Sequence, residues 1–325
     1  MTVETGTDPR LTGRLNLESM HGIEIGALYN PRIRKSAGDI SYLDHETADG
    51  LRAKYADNPI ASVHSDAVVD VDFVLRPGHT LREAVGAAAP FDYAVAAHVF
   101  EHLPNPLGWL NEVGEILTPT GFLCLVIPDK RYCFDARRET TTPAQLVDSY
   151  LRSLTRPSFH QIFDHHTGFL GDVSPPDLWA GNVDPQQLRR QDVADPVVFA
   201  YERCKELEAT GAYEDVHCSS FTPTSFVTAL ETFAALSLLP FEVVDLFPTE
   251  PGSFEFFATL QRSDDPARIR QSIAWAAEQA ADPASPSERG ESMIVSTMEK
   301  RAIELKRRVM TRARRLFKPA RRNVR

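Results

Sequence analysis

Over the first 130 residues, short apolar, β-branched runs alternate with longer polar stretches. The runs at 21–26 (HGIEIG), 39–43 (DISYL), within 67–75 (AVVDVDFVL), at 91–97 (FDYAVAA) and at 121–127 (GFLCLVI) have strand length and composition. Between the last two, Leu107, Leu110, Val113 and Leu117 recur at helical spacing. Pro106 suits the first turn of that helix, and Thr118-Pro119-Thr120-Gly121 stops it. Such alternation predicts a parallel sheet covered on both faces. The pattern breaks from Asp129 to about Val216, a polar, Pro-bearing stretch dotted with aromatics, where helices are predicted only at 143–154 and 196–210. It resumes with a helix over 224–238 and strands at 241–247 (FEVVDLF) and 254–261 (FEFFATLQ). The short Pro-Gly connection between these strands predicts an antiparallel hairpin. A helix over 266–281, a linker over 282–292 and a basic tail follow. The predicted fold class is α/β: a mostly parallel seven-stranded sheet with an antiparallel C-terminal hairpin, an insertion after strand five, and a basic C-terminal helix. Three parts are expected: a domain over 1–262, whose 129–216 portion is an inserted lid, a helix and linker over 263–297, and a tail over 298–325.

Composition adds one surprise. The chain has 325 residues, is 42% hydrophobic, enough for a sizeable core, and carries a net charge of −10. The last 28 residues hold twelve Lys and Arg against Glu299 and Glu304, so they carry +10 and everything before them −20. Ala302, Leu305, Val309, Ala313 and Leu316 give that tail an apolar stripe. It suits an anionic membrane surface, a protein partner or the acidic body of the chain itself. Nucleic acid is disfavoured, because Phe317 is the tail's only aromatic residue. Cys124, Cys133, Cys204 and Cys218 form no CxxC pair, which argues against a zinc ribbon and suits a reducing cytosol. The N-terminus lacks the form of a secretory signal, and no run is apolar enough to span a bilayer. A cytoplasmic protein, peripheral at the inner membrane through its tail, is expected.

Ligands of open α/β folds bind at the carboxyl ends of the strands. At the end of the first strand, in GIEIGALYNP (22–31), Gly26 lets a ligand approach the backbone, and Glu24 can accept a hydrogen bond from an ammonium group. Ala27 and Asn30 stand where related loops carry further glycines. Asp44, 18 positions after Gly26, is placed to hold the hydroxyls of a ribose. That arrangement suits either a nicotinamide dinucleotide or S-adenosylmethionine.

The segment 91–131 resembles the "fD.V.a.hvlEHl.np...l.e..rvLkpgG.l.l.vPdkr" block of class I S-adenosylmethionine-dependent methyltransferases, whose seven-stranded, Rossmann-like sheet matches the pattern above. GIEIGALYNP (22–31), PDKRYCFDARRETTT (128–142) and HCSSFTPTSF (217–226) are similar to three further blocks of a bacterial subgroup. The resemblance covers about 22–262. It implies S-adenosylmethionine as cofactor, held by Glu24, Gly26, Ala27, Asn30, Asp44, Asp72 and His98. The adenine-side acid is uncertain between Asp70 and Asp72. It also places His98 at the methyl-transfer site, where an imidazole can take a proton from a hydroxyl or amine. Glu101 and His102 belong to the same EHL motif; Glu101 can instead cap the next helix, and His102 can be an ordinary half-buried histidine. Lys130, Arg131 and Tyr132 follow strand five and are candidates, with His165 and His217, to bind an anionic or glycan acceptor, although Lys130 and Arg131 can equally pair with Asp129 or Asp135. The dense FHQIFDHHTGF (159–169) reads as a loop or substrate lid, and no metal site is assigned.

Acceptors implied by the resemblance are glycans or cell-surface polysaccharide precursors. Two other readings remain open. One is a non-catalytic scaffold on a degenerate methyltransferase fold. The other is a Rossmann-type oxidoreductase, against which the missing GxGxxG counts.

Overall fold

A computed structural model describes residues 8–56, 66–171, 173–190 and 192–281. Residues 1–281 form one compact unit; the predicted linker and basic tail lie beyond it, outside the described residues. The compact unit is built on seven strands: β1 (His21–Ile25), β2 (Asp39–Asp44), β3 (Phe73–Val74), β4 (Phe91–Ala97), β5 (Leu117–Pro128), β6 (Phe241–Phe247) and β7 (Glu255–Arg262). Their order is β3-β2-β1-β4-β5-β7-β6. β1 to β5 pair in parallel; β7 inserts antiparallel between β5 and β6. The predicted strands and C-terminal hairpin are thus present, in the Rossmann-like arrangement the motifs implied. Strand order reverses between β1 and β4, which opens the ligand crevice of such sheets at their carboxyl ends.

Both faces of the sheet are buried. Leu123, Leu125 and Ile127 of β5 face one core and Cys124 and Val126 the other, as the two-residue period of a strand requires. The first face is covered by α3 (Leu81–Val85), α4 (Pro106–Ile116), α9 (Pro223–Ala235) and α10 (Pro266–Ala280). The second is covered differently from expectation. No helix forms between β1 and β2; turns carry the chain from Gly26 to Gly38, and Ala27 and Ile33 pack there with Leu11 of α1 (Pro9–Thr12). Pro31 and the lack of an apolar repeat in this stretch explain the absence.

Two more expectations shift. α10 was grouped with the linker, yet it buries Ile269, Ile273 and Ala276, and its Ser272 hydroxyl caps the Val243 amide of β6 at 2.9 Å. The 129–216 insertion is more helical than predicted: α5 (Pro143–Leu151), α6 (Phe159–Gly168), α7 (Pro175–Trp179) and α8 (Pro196–Thr210). The expected 159–169 loop is α6, started by a reciprocal Ser158–Gln161 capping box. A short α2 (Ala48–Lys54) follows β2. Among the described residues no helix is long and apolar enough to cross a membrane.

Candidate active site

At the end of β1, Gly26 adopts φ +74°, and a Cβ there would lie 2.7 Å from the Val99 methyl. The turn therefore requires glycine. Glu24 is buried, and its carboxylate accepts hydrogen bonds from the amides of Arg32 (2.7 Å) and Ile33 (3.1 Å). It closes the loop in place of a helix rather than facing an ammonium group. Burial, offset only in part by those amides and by Arg32, pushes its carboxyl up to about 7. Ala27 packs into the core, and Asn30 is exposed. Asp44 ends β2 almost fully buried, one oxygen accepting from the His45 amide at 2.8 Å. Asp72 precedes β3 and so lies at the wrong end of that strand; its carboxylate holds the Tyr42 amide of β2 (2.8 Å) and Lys35 (2.7 Å).

His98 follows β4 with φ +55°, an uncommon conformation for a residue with a Cβ. Its Nε2 lies 2.6 Å from Glu255 Oε1 and its Nδ1 3.4 Å from Glu101 Oε1. Burial opposes the imidazolium, but the two carboxylates outweigh it and hold His98 at about 9. Both nitrogens thus face acids, and His98 is a cation rather than the proton acceptor the motif suggested. Glu255 Oε1 also accepts from Arg32 at 2.9 Å. Arg32 and Glu255, which sequence reasoning missed, join His98 across the switch point. His98 and Glu255 lie 157 positions apart, and no local pattern signals their meeting.

Deeper under the insertion lies a second cluster. His102 Nδ1 is 2.9 Å from Asp215, and His217 Nδ1 is 2.6 Å from Asp135. Asp135 also pairs with the buried Arg138, which reaches Asp164 at 2.7 Å. Burial works against the Asp135 carboxylate, but His217 and Arg138 prevail and hold it well below the usual range. Burial and the neighbouring His217 and Arg138 draw His165 far down, so it is neutral. Its ring is tilted against that of His217, with centroids 5.9 Å apart.

The other acceptor candidates divide. Arg131 is held by Asp129, at 3.0 Å through Nε and 2.6 Å through Nη2, the pairing alternative already visible in the sequence. Tyr132 is buried and stacks on Trp179 at 4.0 Å, docking α7. Lys130 has no ion pair among the described residues, and burial draws its ammonium down against the pull of Glu139, Asp129 and Asp135. Of the predicted residues, His165 and His217 share one cluster, and His98 meets its edge through Glu101. Of two surface clefts, one lies beside Pro240 and Asp264, and the other is lined by Tyr29 and Pro31 of the loop after β1 together with Asp70.

Residues 20–170 match a family model described as a methyltransferase domain. That stretch, just under half of the chain, is similar to methyltransferase domains. The match and the strand order agree with the resemblance to class I methyltransferases drawn from the motifs. No curated protein matches the chain. Three solved structures show the range of its likenesses. A candidate zinc-dependent alcohol dehydrogenase from Rhodobacter sphaeroides is 11% identical with a TM-score of 0.40, over 77% of this chain and 86% of that one. An S-adenosylmethionine-dependent methyltransferase from Mesorhizobium loti is 12% identical with a TM-score of 0.38, over 78% and 96%. One from Methanosarcina mazei is 15% identical with a TM-score of 0.37, over 79% and 99%. At these scores none of them carries weight in the assignment.

The cofactor that goes with this family and fold is S-adenosylmethionine. The residues present fit it in part. Gly26 keeps the strand end bare, and Asp44 offers a carboxylate at the end of β2. Arg32, Glu255 and His98 set two cations around one anion, the complement of a zwitterionic amino acid. Glu24 does not fit its expected role.

Proposed function

We propose that the chain transfers a methyl group from S-adenosylmethionine to an oxygen or nitrogen of an acceptor held beneath the 129–216 insertion. The observation that carries this reading is the placement of Gly26, Asp44 and His98 at the carboxyl ends of adjacent β1, β2 and β4, within the stretch that matches a methyltransferase domain. Asp44 would accept from the ribose hydroxyls, Gly26 would leave room along the strand end, and Arg32 with His98 would face the methionine carboxylate. Bound there, the cofactor supplies a sulfonium-activated methyl group. Because His98 is held as a cation between two acids, its part is to position a negative group, not to remove a proton. Alignment of acceptor and donor supplies much of such a rate.

The acceptor is a glycan or cell-surface polysaccharide precursor in this reading. Its support is the subgroup motifs and a polar wall of Lys130, His165 and His217, with Arg131 and Tyr132 serving that wall from behind. The basic tail would hold the enzyme at the anionic inner face of a membrane, close to a lipid-linked acceptor. Cosedimentation with anionic vesicles that survives deletion of 298–325 would remove that part of the proposal.

Calorimetry with S-adenosylmethionine and S-adenosylhomocysteine, on the whole chain and on Asp44→Ala, tests the core of it. Micromolar binding that weakens about 10- to 100-fold on substitution is expected, the loss of hydrogen bonds to a charged acceptor. No binding at millimolar ligand would sink it. A scaffold would then be the better reading, one that the helix-less, glycine-poor loop after β1 already favours.

A further inference from the structure

Glu101 sits in the turn after β4 with 1% of its surface exposed; His98 Nδ1 makes a long ion pair to its Oε1 at 3.4 Å, and neither oxygen accepts a well-formed hydrogen bond among the described residues. A buried carboxylate so poorly supplied with donors is costly. Besides His98, two imidazoles that do not bond to it, those of His102 and His217, lie close by. One donor atom from each of Glu101, His102 and His217 lies within 4.8 Å of the others. The rings of His102 and His217 meet edge to face at 4.6 Å. Each ring is turned by a carboxylate on its Nδ1, Asp215 for His102 and Asp135 for His217. That leaves Nε2 as the nitrogen available on each, and neither Nε2 has a hydrogen bond among the described residues.

We propose that Glu101, His102 and His217 bind a divalent first-row metal ion, with Zn²⁺ as the ion their donors suit. Two imidazoles and a carboxylate are a donor set of zinc sites that keep a coordination position open for water. Zinc bonds of about 2.0–2.2 Å in a tetrahedron place donors about 3.4 Å apart, so closing in by about an ångström seats the ion. The carboxylate–histidine–metal arrangement, which fixes tautomer and ring direction, is already built on both rings. Ser219, whose amide donates to the Glu101 carbonyl at 3.0 Å, keeps its hydroxyl buried and unpartnered as well. The ion would tie the turn after β4 to the 217–219 segment that leads into α9, two stretches more than 110 positions apart in the chain. The site does not depend on methyl transfer being the activity.

Equilibrium titration of the metal-stripped whole chain with Co²⁺, followed by Zn²⁺ competition, tests this. Binding of a single equivalent is expected, with the visible absorption of a four-coordinate ion that Zn²⁺ abolishes. Glu101→Gln keeps the side-chain shape and should abolish tight binding. Asp215→Asn removes no metal ligand, and its side chain is partly exposed, so the variant should fold; it weakens the orienting bond to His102 and should weaken Co²⁺ about 10- to 100-fold. Far-UV circular dichroism and S-adenosylhomocysteine binding, measured on the same samples, separate loss of the metal site from misfolding and from failure of the methyltransferase reading. No stoichiometric Co²⁺ or Zn²⁺ binding by a folded chain, or binding unchanged in both variants, would overturn the proposal.

Discussion

At the carboxyl ends of β1 and β2 the chain presents mostly backbone, whereas at the ends of β4, β5 and β7 it presents charge. The first side relies on Gly26, on a loop pinned by Glu24, and on a single buried acid, Asp44. The second holds His98, Glu101, His102, Asp135, Arg138 and His217, nearly all buried or half-buried and mostly paired. Burying ions is expensive, and replacing such pairs with apolar residues is often neutral or stabilising. The charged side is therefore poorly explained by stability alone. The contrast fits a division of labour, in which shape on one side receives a cofactor and polar chemistry on the other receives an acceptor.

The sharpest way to break the contrast is to unbalance the charged side. Arg138 is 3% exposed and lies between Asp135 and Asp164. Arg138→Ala leaves two acids facing each other near neutral His165, and should destabilise the domain by about 3–5 kcal/mol, as for other buried pairs that lose one partner. Urea unfolding reads this directly. A loss under 1 kcal/mol would mean that His217 alone satisfies Asp135 and that the network is looser than its burial implies.

On the shape side, the corresponding lever is pH. The Glu24 carboxyl is held up to about 7 against an ordinary value of 4.5, so the native state binds this proton more tightly than the unfolded chain does. Its contribution favours folding below pH 4.5, declines as pH rises from there to about 7, and is flat beyond. The swing is of order 3 kcal/mol by linkage. Glu24→Gln should remove that slope, so the stability difference between wild type and variant should change across this window and nowhere else. A difference independent of pH would show that the two amides hold Glu24 ionised throughout.

Much of the frame was legible, because strand period and turn residues are local signals. β4, α4 and β5 follow from 91–127, and α8 matches its predicted bounds. The C-terminal hairpin could be read from Pro251 and Gly252 between two aromatic strands. The Ser158–Gln161 capping box that starts α6 was also present in the sequence, although the histidines drew attention first. What was not legible is long-range. Glu255 meets His98 only because β7 inserts beside β5. Glu24 and Asp72 carry residue types suited to ligands, yet backbone amides nearer to hand claim their carboxylates.

Gly26 offers a smaller test of the same side. Gly26→Ala adds a strained φ of +74° and a Cβ 2.7 Å from the Val99 methyl. Together these should cost about 1–3 kcal/mol and weaken S-adenosylmethionine binding in calorimetry. Adding Val99→Ala removes the overlap but not the strained dihedral, so about half of the loss should return. Full recovery would assign the whole effect to crowding, and no recovery to the backbone alone.

The smallest expected effect asks whether the insertion is held by charge or by apolar contact. Trp179 of α7 stacks on Tyr132 with planes 7° apart, and its Nε1 donates to the Ser253 carbonyl at 2.7 Å. Trp179→Phe keeps an aromatic ring over Tyr132 and removes that donor, for about 1 kcal/mol. The loss should be local: faster hydrogen exchange and proteolysis in 173–190, with the global unfolding midpoint nearly unchanged. If α7 stays protected in Trp179→Phe yet loosens in Arg138→Ala, the insertion is docked through its ionic network. If the midpoint falls in step with local protection, the insertion folds as one unit with the sheet, and the boundary between the two sides lies at the β1–β4 crevice rather than at the base of the insertion.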